Sequence, residues 1–197
     1  LPNKAAQPTE APTQQAQTTQ AAPTEQPTPE PDPVQQLLEE MTLEQKVGQL
    51  FLVRPDSLDL SQTQDQINDA KADGVTDLTD AMRQTLAEYP VGGVVIFGKN
   101  LESPQQITQF LDDLQQASDT PLFTAIDEEG GLVARLANNA AFDLPQYESA
   151  AAVGTSGNPE DARAMGRTIG GYLKEYGFNL DFESLKAEAG PHYVQFI

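Results

Sequence analysis

The sequence predicts an α/β fold, and three observations lead to that class. Short apolar runs recur at residues 51–53, 94–97, 122–126 and 178–182, with the length and composition of strands that are buried on both faces. Helical apolar patterns separate these runs, and strands that alternate with helices form parallel β/α units. The runs lie about 25–55 residues apart, a spacing that suits either half of an eight-stranded barrel or a small open sheet.

The glycine pattern favours the barrel over the open sheet. An open doubly wound sheet commonly carries a glycine-rich nucleotide loop directly after a strand, and the chain contains neither a G-x-G-x-x-G nor a Walker pattern. The pair Gly92-Gly93 precedes the second strand instead of following one. We therefore predict a partial TIM (β/α)8 barrel, roughly its first four β/α units, over residues 33–182.

Residues 1–32 are predicted to be a disordered linker. Eight of the 15 prolines lie within the first 33 residues, among repeated Thr, Gln, Ala and Glu, and Leu1 is the one large apolar residue there. Such a segment buries too little surface to offset its ordering entropy. Spacers of this composition often hold an extracellular domain away from a membrane or wall, so we expect an extracytoplasmic protein, secreted or tethered to the cell surface. An ordinary flexible terminus is the alternative.

Two helices are predicted before the first strand. Asp32-Pro33 has the form of an N-cap followed by proline at the first helical position. Thr42 and Gln45 form a capping box that begins the second helix. The apolar side chains of the second helix are expected to be buried; they are Leu43, Val47 and Leu50.

The sequence signals for the helices between the strands differ in strength. The polar stretch 56–75 is difficult to assign, with short helices around 61–72 and 76–89. A capped helix begins at Ser103-Pro104, and another runs from Asn158-Pro159 to Gly177, which is a typical helix stop. Residues from about 127 to 150 are predicted to form a long loop. The apolar face of the Ser103 helix comprises Ile107, Phe110, Leu111 and Leu114.

The strongest site candidate follows the third strand, where the apolar run ends abruptly at Asp127. Ligand chemistry collects just past the carboxyl ends of strands in α/β folds. A carboxylate there can accept hydroxyl hydrogen bonds from a sugar or polyol, and the planar fork of Arg135 can donate to the same ligand. Gly130 and Gly131 allow a sharp turn and a close approach of the backbone. The alternative is a solvated acidic turn with a structural ion pair.

Composition limits the classes of partner and cofactor. The net charge of −19 argues against nucleic acid or an anionic membrane surface as a partner, because both require a basic patch. No apolar run approaches the roughly 18 residues that a membrane span requires. With one histidine and no cysteine, neither a metal site nor any other cofactor is predicted.

Four blocks of sequence resemble glycoside hydrolase family 3. They are residues 41–50, similar to its opening helix; 92–101, similar to its second strand and loop; 127–136, similar to its D-x-E-G-G-x-V-x-R signature; and 177–182, similar to its G-[IFV]-N-x-D-F strand. The blocks stand in the family's order. Within the family the chain looks most similar to bacterial β-N-acetylhexosaminidases, although β-glucosidase relatives share several blocks.

The resemblance implies a barrel that hydrolyses terminal β-linked sugars with retention of configuration, through a covalent glycosyl-enzyme. It implies substrate-binding roles for Asp127 and Arg135 around the terminal sugar. It gives no catalytic role to the adjacent Glu128 and Glu129. We expect Glu129 instead to brace the Gly-Gly turn through backbone hydrogen bonds.

The chain departs from the family pattern after Phe182. The family continues with Ala-Pro-Val-x-Asp, whereas residues 183–197 form an unrelated tail, which suggests a truncated or frame-shifted reading of a longer gene, or a chimeric tail. No Lys-His-x-Pro-Gly-His loop and no nucleophilic aspartate follow, so no catalytic residue is assigned and the chain alone is expected to be inactive. The single His192 is expected to be an incidental tail residue.

Half a barrel predicts two open sheet edges, hence self-association through them. Alternative functions also stay open at this stage: a non-catalytic carbohydrate-binding fragment, a β-glucosidase-type member of the same family, and an acidic interaction or spacer protein.

Overall fold

The computed structural model describes residues 32–183 and 193–196, with backbone only at 183 and 193–196. The strands are β1 Leu52–Val53, β2 Gly93–Ile96, β3 Phe123–Ile126, β4 Glu128–Gly130, β5 Val133–Ala134, β6 Leu180–Glu183 and β7 Tyr193–Phe196. The α-helices are α1 Pro33–Glu40, α2 Leu43–Gly48, α3 Gln64–Asn68, α4 Asp80–Glu88, α5 Pro104–Ala117, α6 Ala150–Gly154 and α7 Pro159–Glu175. The predicted linker 1–32 and His192 lie outside the described residues, apart from Asp32.

The main sheet has the strand order β1-β2-β3-β6-β7, and the first four strands are parallel. Each parallel strand lies beside the next one along the chain, and each connection contains helix. This consecutive order is that of the first β/α units of a (β/α)8 barrel, whereas a doubly wound sheet reverses its order at a switch point. The predicted α/β class with parallel β/α units is confirmed.

Helices α5 and α7 form much of the core with strands β2 and β3. The predicted apolar face of α5 is buried throughout, and Met165, Ile169 and Leu173 of α7 are buried as well. The predicted capping residues Ser103 and Asn158 accept backbone hydrogen bonds at the starts of these helices. Periodicity and caps are local signals, so they located these helices well.

Side-chain hydrogen bonds between β3 and the segment before β6 fix the register of these two strands. The Thr124 backbone N–H donates to Asn179 Oδ1 over 2.8 Å, and the Asn179 amide donates to the Leu122 carbonyl over 2.9 Å. The Thr124 hydroxyl donates to the Gly177 carbonyl over 2.8 Å. Gly177 itself has φ +96°, which suits its predicted role as the helix stop.

Several predicted boundaries and elements require correction. The observed strands begin one or two residues later than predicted, except β2, which begins one residue earlier and leaves Phe97 outside. The loop predicted for residues 127–150 contains the β4–β5 hairpin and helix α6. The hairpin strands are short and polar, so they lack the apolar alternation on which a strand prediction depends.

The burial predicted for Leu43 and Val47 of α2, and for Leu50 just after it, is wrong. Leu50 is 82 % exposed, and Leu43 and Val47 are exposed as well. Among the described residues β1 forms the edge of the sheet, and none of them covers this side of α2. An amphipathic pattern shows which side chains share a helix face but does not supply the element that covers them.

The fourth parallel strand was predicted to lack a second neighbour, and this is also wrong. Strand β7, which comes from the segment beyond the predicted boundary at residue 182, pairs with β6 in antiparallel orientation from Leu180–Phe196 to Glu183–Tyr193. The β6 edge is therefore occupied, while β1 has an open edge within the described residues. In the described part of the chain, none of the helices combines the length and the hydrophobicity that a membrane span requires.

Candidate functional site

Asp127 and Arg135 lie together just past the carboxyl end of β3. An Arg135 guanidinium nitrogen, Nη2, lies 3.0 Å from Asp127 Oδ2, and the Arg135 backbone N–H donates to the Asp127 carbonyl over 3.4 Å. Both side chains are partly exposed, 26 % for the aspartate and 33 % for the arginine. The two residues that the sequence singled out are thus adjacent in space, and each keeps some access to solvent.

The glycine pair makes this approach geometrically feasible. Gly130 and Gly131 have φ values of +81° and +65°, in the region that residues with a Cβ avoid. A Cβ on Gly131 would also lie 2.5 Å from the carbonyl oxygen of Glu148. The turn predicted from the sequence therefore reverses the chain from β4 into β5 and returns Arg135 to Asp127.

A buried carboxylate, that of Glu128, lies beneath this pair. Its Oε2 accepts a hydrogen bond from the Leu136 N–H over 2.8 Å, and its Oε1 accepts from the Ala137 N–H and the Tyr172 hydroxyl, each over 2.9 Å. Three donors compensate for the loss of water around this anion. Glu128 thus braces the backbone that follows β5. The bracing of the Gly-Gly turn expected of Glu129 stays a prediction.

Asp181 is the second buried acid of the site. One of its oxygens, Oδ1, accepts the Glu128 backbone N–H over 2.9 Å, and the side chain is almost fully buried. Tyr172 donates its hydroxyl hydrogen bond to the Glu128 carboxylate. Burial of the tyrosine, together with the negative charge of Glu128, raises the pKa of Tyr172 well above its usual range. Tyr172 therefore stays a hydrogen-bond donor through the physiological pH range.

An aromatic ring with two cations lies at the ends of the neighbouring strands. Arg54 follows β1, and its Cζ lies 4.3 Å from the centroid of the Phe97 ring, which follows β2. The Cζ of Arg135 lies 5.8 Å from the same centroid. Both distances are within the range of cation–π contacts. Neither Arg54 nor Phe97 was predicted to be a site residue. Arg54 directly follows a predicted strand, which is the signal that identified Asp127, whereas Phe97 was predicted to lie within the second strand.

A buried ion pair supports these strand ends. Asp56 and Lys99 are 3.1 Å apart, and the two side chains are 0 % and 6 % exposed. The Asn100 amide and the Val75 N–H also donate to Asp56, over 3.0 and 3.2 Å. Lys99 additionally donates to two carbonyls of the α3 segment. The segments after β1 and β2 are thus fixed to each other below Arg54 and Phe97.

The chemistry available at the strand ends is that of polar recognition. Only Oδ2 of Asp127 pairs with Arg135, so the carboxylate retains capacity to accept further hydrogen bonds. Nε of Arg135 is buried and has no acceptor among the described residues. No group of three or more His, Cys, Asp or Glu side chains converges as metal ligands in the described part of the chain. A ligand with several hydroxyls fits this donor and acceptor set best.

Comparison with known proteins gives a consistent result. A family model described as the glycosyl hydrolase family 3 N terminal domain matches residues 42–185, which is most of the chain. β-Hexosaminidase A from Pseudoalteromonas piscicida is 31% identical over 113 residues, which are 55% of this chain and 19% of that protein. β-Hexosaminidase from Thiobacillus denitrificans is 30% identical over 111 residues, 54% of this chain and 30% of that protein.

Among solved structures, a glycoside hydrolase family 3 β-N-acetylglucosaminidase from a Paenibacillus species is similar, with a TM-score of 0.57 and 31% sequence identity. The similarity covers 72% of this chain and 24% of that one. The chain therefore spans about a fifth to a third of the length of these relatives.

Proposed function

Because the chain belongs to glycosyl hydrolase family 3, we propose that it forms the part of a glycosidase site that holds the terminal sugar of a β-linked substrate. Asp127 and Arg135 are the substrate-binding residues of this proposal. The preferred substrate class is the β-N-acetylhexosaminides, a choice supported by the similarity to bacterial β-hexosaminidases and to a β-N-acetylglucosaminidase. The reaction served by the site is hydrolysis with retention of configuration.

One observation carries the proposal: the Asp127 carboxylate is paired through a single oxygen and remains partly exposed at the carboxyl edge of a parallel sheet. A carboxylate in that position accepts two adjacent sugar hydroxyls, and Arg135 balances its charge while donating to the same ligand. Residues at this edge are the ones that meet substrate in α/β barrels. The open sheet edge and the exposed helix α2 lack such a convergence of polar groups.

Retaining hydrolysis needs two further groups, a carboxylate nucleophile and a proton donor. We assign neither within these 197 residues, and the two acids beneath Asp127 are occupied by backbone donors. The polypeptide assayed alone is therefore expected to bind a saccharide without cleaving it.

A binding measurement with a matched control tests the proposal. We expect N-acetylglucosamine to perturb amide resonances of the β4–β5 hairpin in NMR titrations, and Asp127→Asn to weaken the affinity by about 10- to 100-fold, the value of a charged hydrogen bond. Asp119→Asn makes the same charge change at an exposed position before β3, and its affinity should equal that of the wild type. Equal affinities for the two variants, or no binding by the wild type, would refute the assignment.

Comparing the affinities for two sugars distinguishes the two substrate classes that are considered within the family. Tighter binding of N-acetylglucosamine than of glucose favours the hexosaminide, and the reverse order favours a β-glucosidase-type site. Release of nitrophenol from a nitrophenyl β-N-acetylglucosaminide by the pure chain would contradict the expected inactivity.

We also propose that the chain acts outside the cytoplasm. The support is the Pro/Thr-rich composition of residues 1–32, which is typical of extracellular spacers. Antibody detection in culture medium and cell-surface fractions of the source cells tests this, and recovery only in the cytosol would contradict it.

A further inference from the structure

Glu128 connects Asp127 and Arg135 through the backbone next to each of them. It directly follows Asp127 and anchors its own backbone N–H on Asp181, over 2.9 Å. Its side chain accepts the backbone N–H of Leu136, over 2.8 Å, and Leu136 directly follows Arg135. Each member of the Asp127–Arg135 pair is therefore one peptide unit away from the same buried carboxylate.

The ion pair between the Asp127 and Arg135 side chains is too weak to fix their relative position by itself. Its side chains are about a quarter to a third exposed, and an ion pair that water reaches contributes little. The contacts of Glu128 are fully buried and involve a charged acceptor, so they are the stronger interactions. The contacts of Glu128 therefore contribute more to the relative position of Asp127 and Arg135 than the side-chain pairing or the long 3.4 Å backbone bond between the two residues.

We propose that Glu128 is the positioning residue of this site, acting with Asp181 and Tyr172 as a buried clamp that fixes Asp127 against Arg135 for saccharide binding. The function of the clamp rests on the proposed function of the pair. Glu128 is 1 % exposed and does not meet the ligand. It acts on the pair through its own backbone and through the backbone of Leu136.

The clamp requires a carboxylate. Three donors converge on its two oxygens, and each oxygen has a donor. In Glu128→Gln one oxygen is replaced by an NH2 group that faces a donor, so at least one contact becomes repulsive. Tyr172→Phe is milder, because it removes the hydroxyl donor and leaves both backbone contacts of the carboxylate.

Two independent readouts test the proposal on the full chain. The first is the rotation of the Arg135 guanidinium group about its Cζ–Nε bond, measured by arginine side-chain NMR, which reports pairing with Asp127 without any sugar. The second is the dissociation constant for N-acetylglucosamine. In Glu128→Gln, both guanidinium rotation and the dissociation constant should rise, each by about fivefold or more.

The exposed pair Arg163–Glu160, 3.3 Å apart, supplies an internal control, since the rotation of its arginine should not change. A folded Glu128→Gln chain with wild-type rotation of Arg135 would overturn the proposal. If this variant does not fold, Tyr172→Phe decides: about a twofold increase in rotation supports the clamp, and no change overturns it. If the wild type binds no sugar, the proposed function fails, and the rotation measurement still decides the clamp.

Discussion

Replacing Asp56 by asparagine is expected to lower the free energy of unfolding by about 3 kcal/mol, because it leaves the buried Lys99 ammonium without its counter-charge. Removing one partner of a buried pair costs about 3–5 kcal/mol in general. The lower end applies here because Lys99 keeps two carbonyl acceptors, those of Gln66 and Ile67, each at 3.1 Å. The amide of the new asparagine would also face the donors on Asn100 or Val75.

Urea denaturation followed by circular dichroism measures this loss. With an m-value of about 2 kcal/mol/M, a loss of about 3 kcal/mol moves the midpoint down by about 1.5 M. The matched control is Asp113→Asn, whose ion pair with Arg83 spans 3.6 Å and is partly exposed. That pair should contribute less than about 1 kcal/mol.

Equal losses in Asp56→Asn and Asp113→Asn would refute the reasoning, because burial would then make no difference to the value of the pair. A second check is the double variant Asp56→Asn/Lys99→Met. It should be more stable than the sum of the single losses implies, by about 1–3 kcal/mol of coupling.

Three further predictions concern the β4–β5 turn, the stability at alkaline pH and the exposed apolar side chains at α2. Gly131→Ala should destabilise the chain by about 2–3 kcal/mol in thermal unfolding, because it adds a backbone clash to the left-handed strain. Gly157→Ala, at φ +67° with open space around it, should lose about 1 kcal/mol only. Because the pKa of Tyr172 is raised in the fold, this tyrosine ionises first in the unfolded chain, and the free energy of unfolding should fall as the pH rises above about 10. In Tyr172→Phe the free energy of unfolding should fall less steeply over the same alkaline range. Leu50→Gln should reduce self-association in sedimentation velocity, whereas Leu132→Gln, in the β4–β5 turn, should leave it unchanged.

The positions of the four parallel strands could be predicted because their signals are local, and the helix between successive strands made the parallel direction the expected one. Apolar runs mark the strands, and capping residues such as Thr42 and Ser103 mark the helix starts; both accept the predicted backbone bonds. Self-association through open edges stays a prediction, now restricted to β1, since β7 occupies the β6 edge. No local pattern in the tail indicated that pairing, because a strand gains its partner through tertiary structure.

The candidate site was only partly predictable, for a reason that Glu128 and Glu129 illustrate. Successive side chains of a strand point to opposite faces, so one of two adjacent glutamates is turned towards the core and the other away. The sequence shows that two acids are adjacent, but it does not show which of the two side chains is buried. That choice depends on the turn at Gly130 and Gly131 and on donors that come from Leu136, Ala137 and Tyr172. The partner that fixes Glu128 from below, Asp181, is 53 residues away.

The strand register explains why the sheet edge divides into two layers of polar groups. Ile96 pairs with Ile126, so the next residues, Phe97 and Asp127, stand at the same level of the sheet edge. Ile126 also pairs with Asp181, which places that acid one level lower, within reach of the Glu128 N–H. A carboxylate in the lower layer loses its water and needs several fixed donors, whereas one in the upper layer keeps oxygens that a ligand's hydroxyls can approach. A register slip of one residue would exchange these environments, so the positions of Asp127 and Glu128 depend on the pairing of β2, β3 and β6 more than on either residue alone.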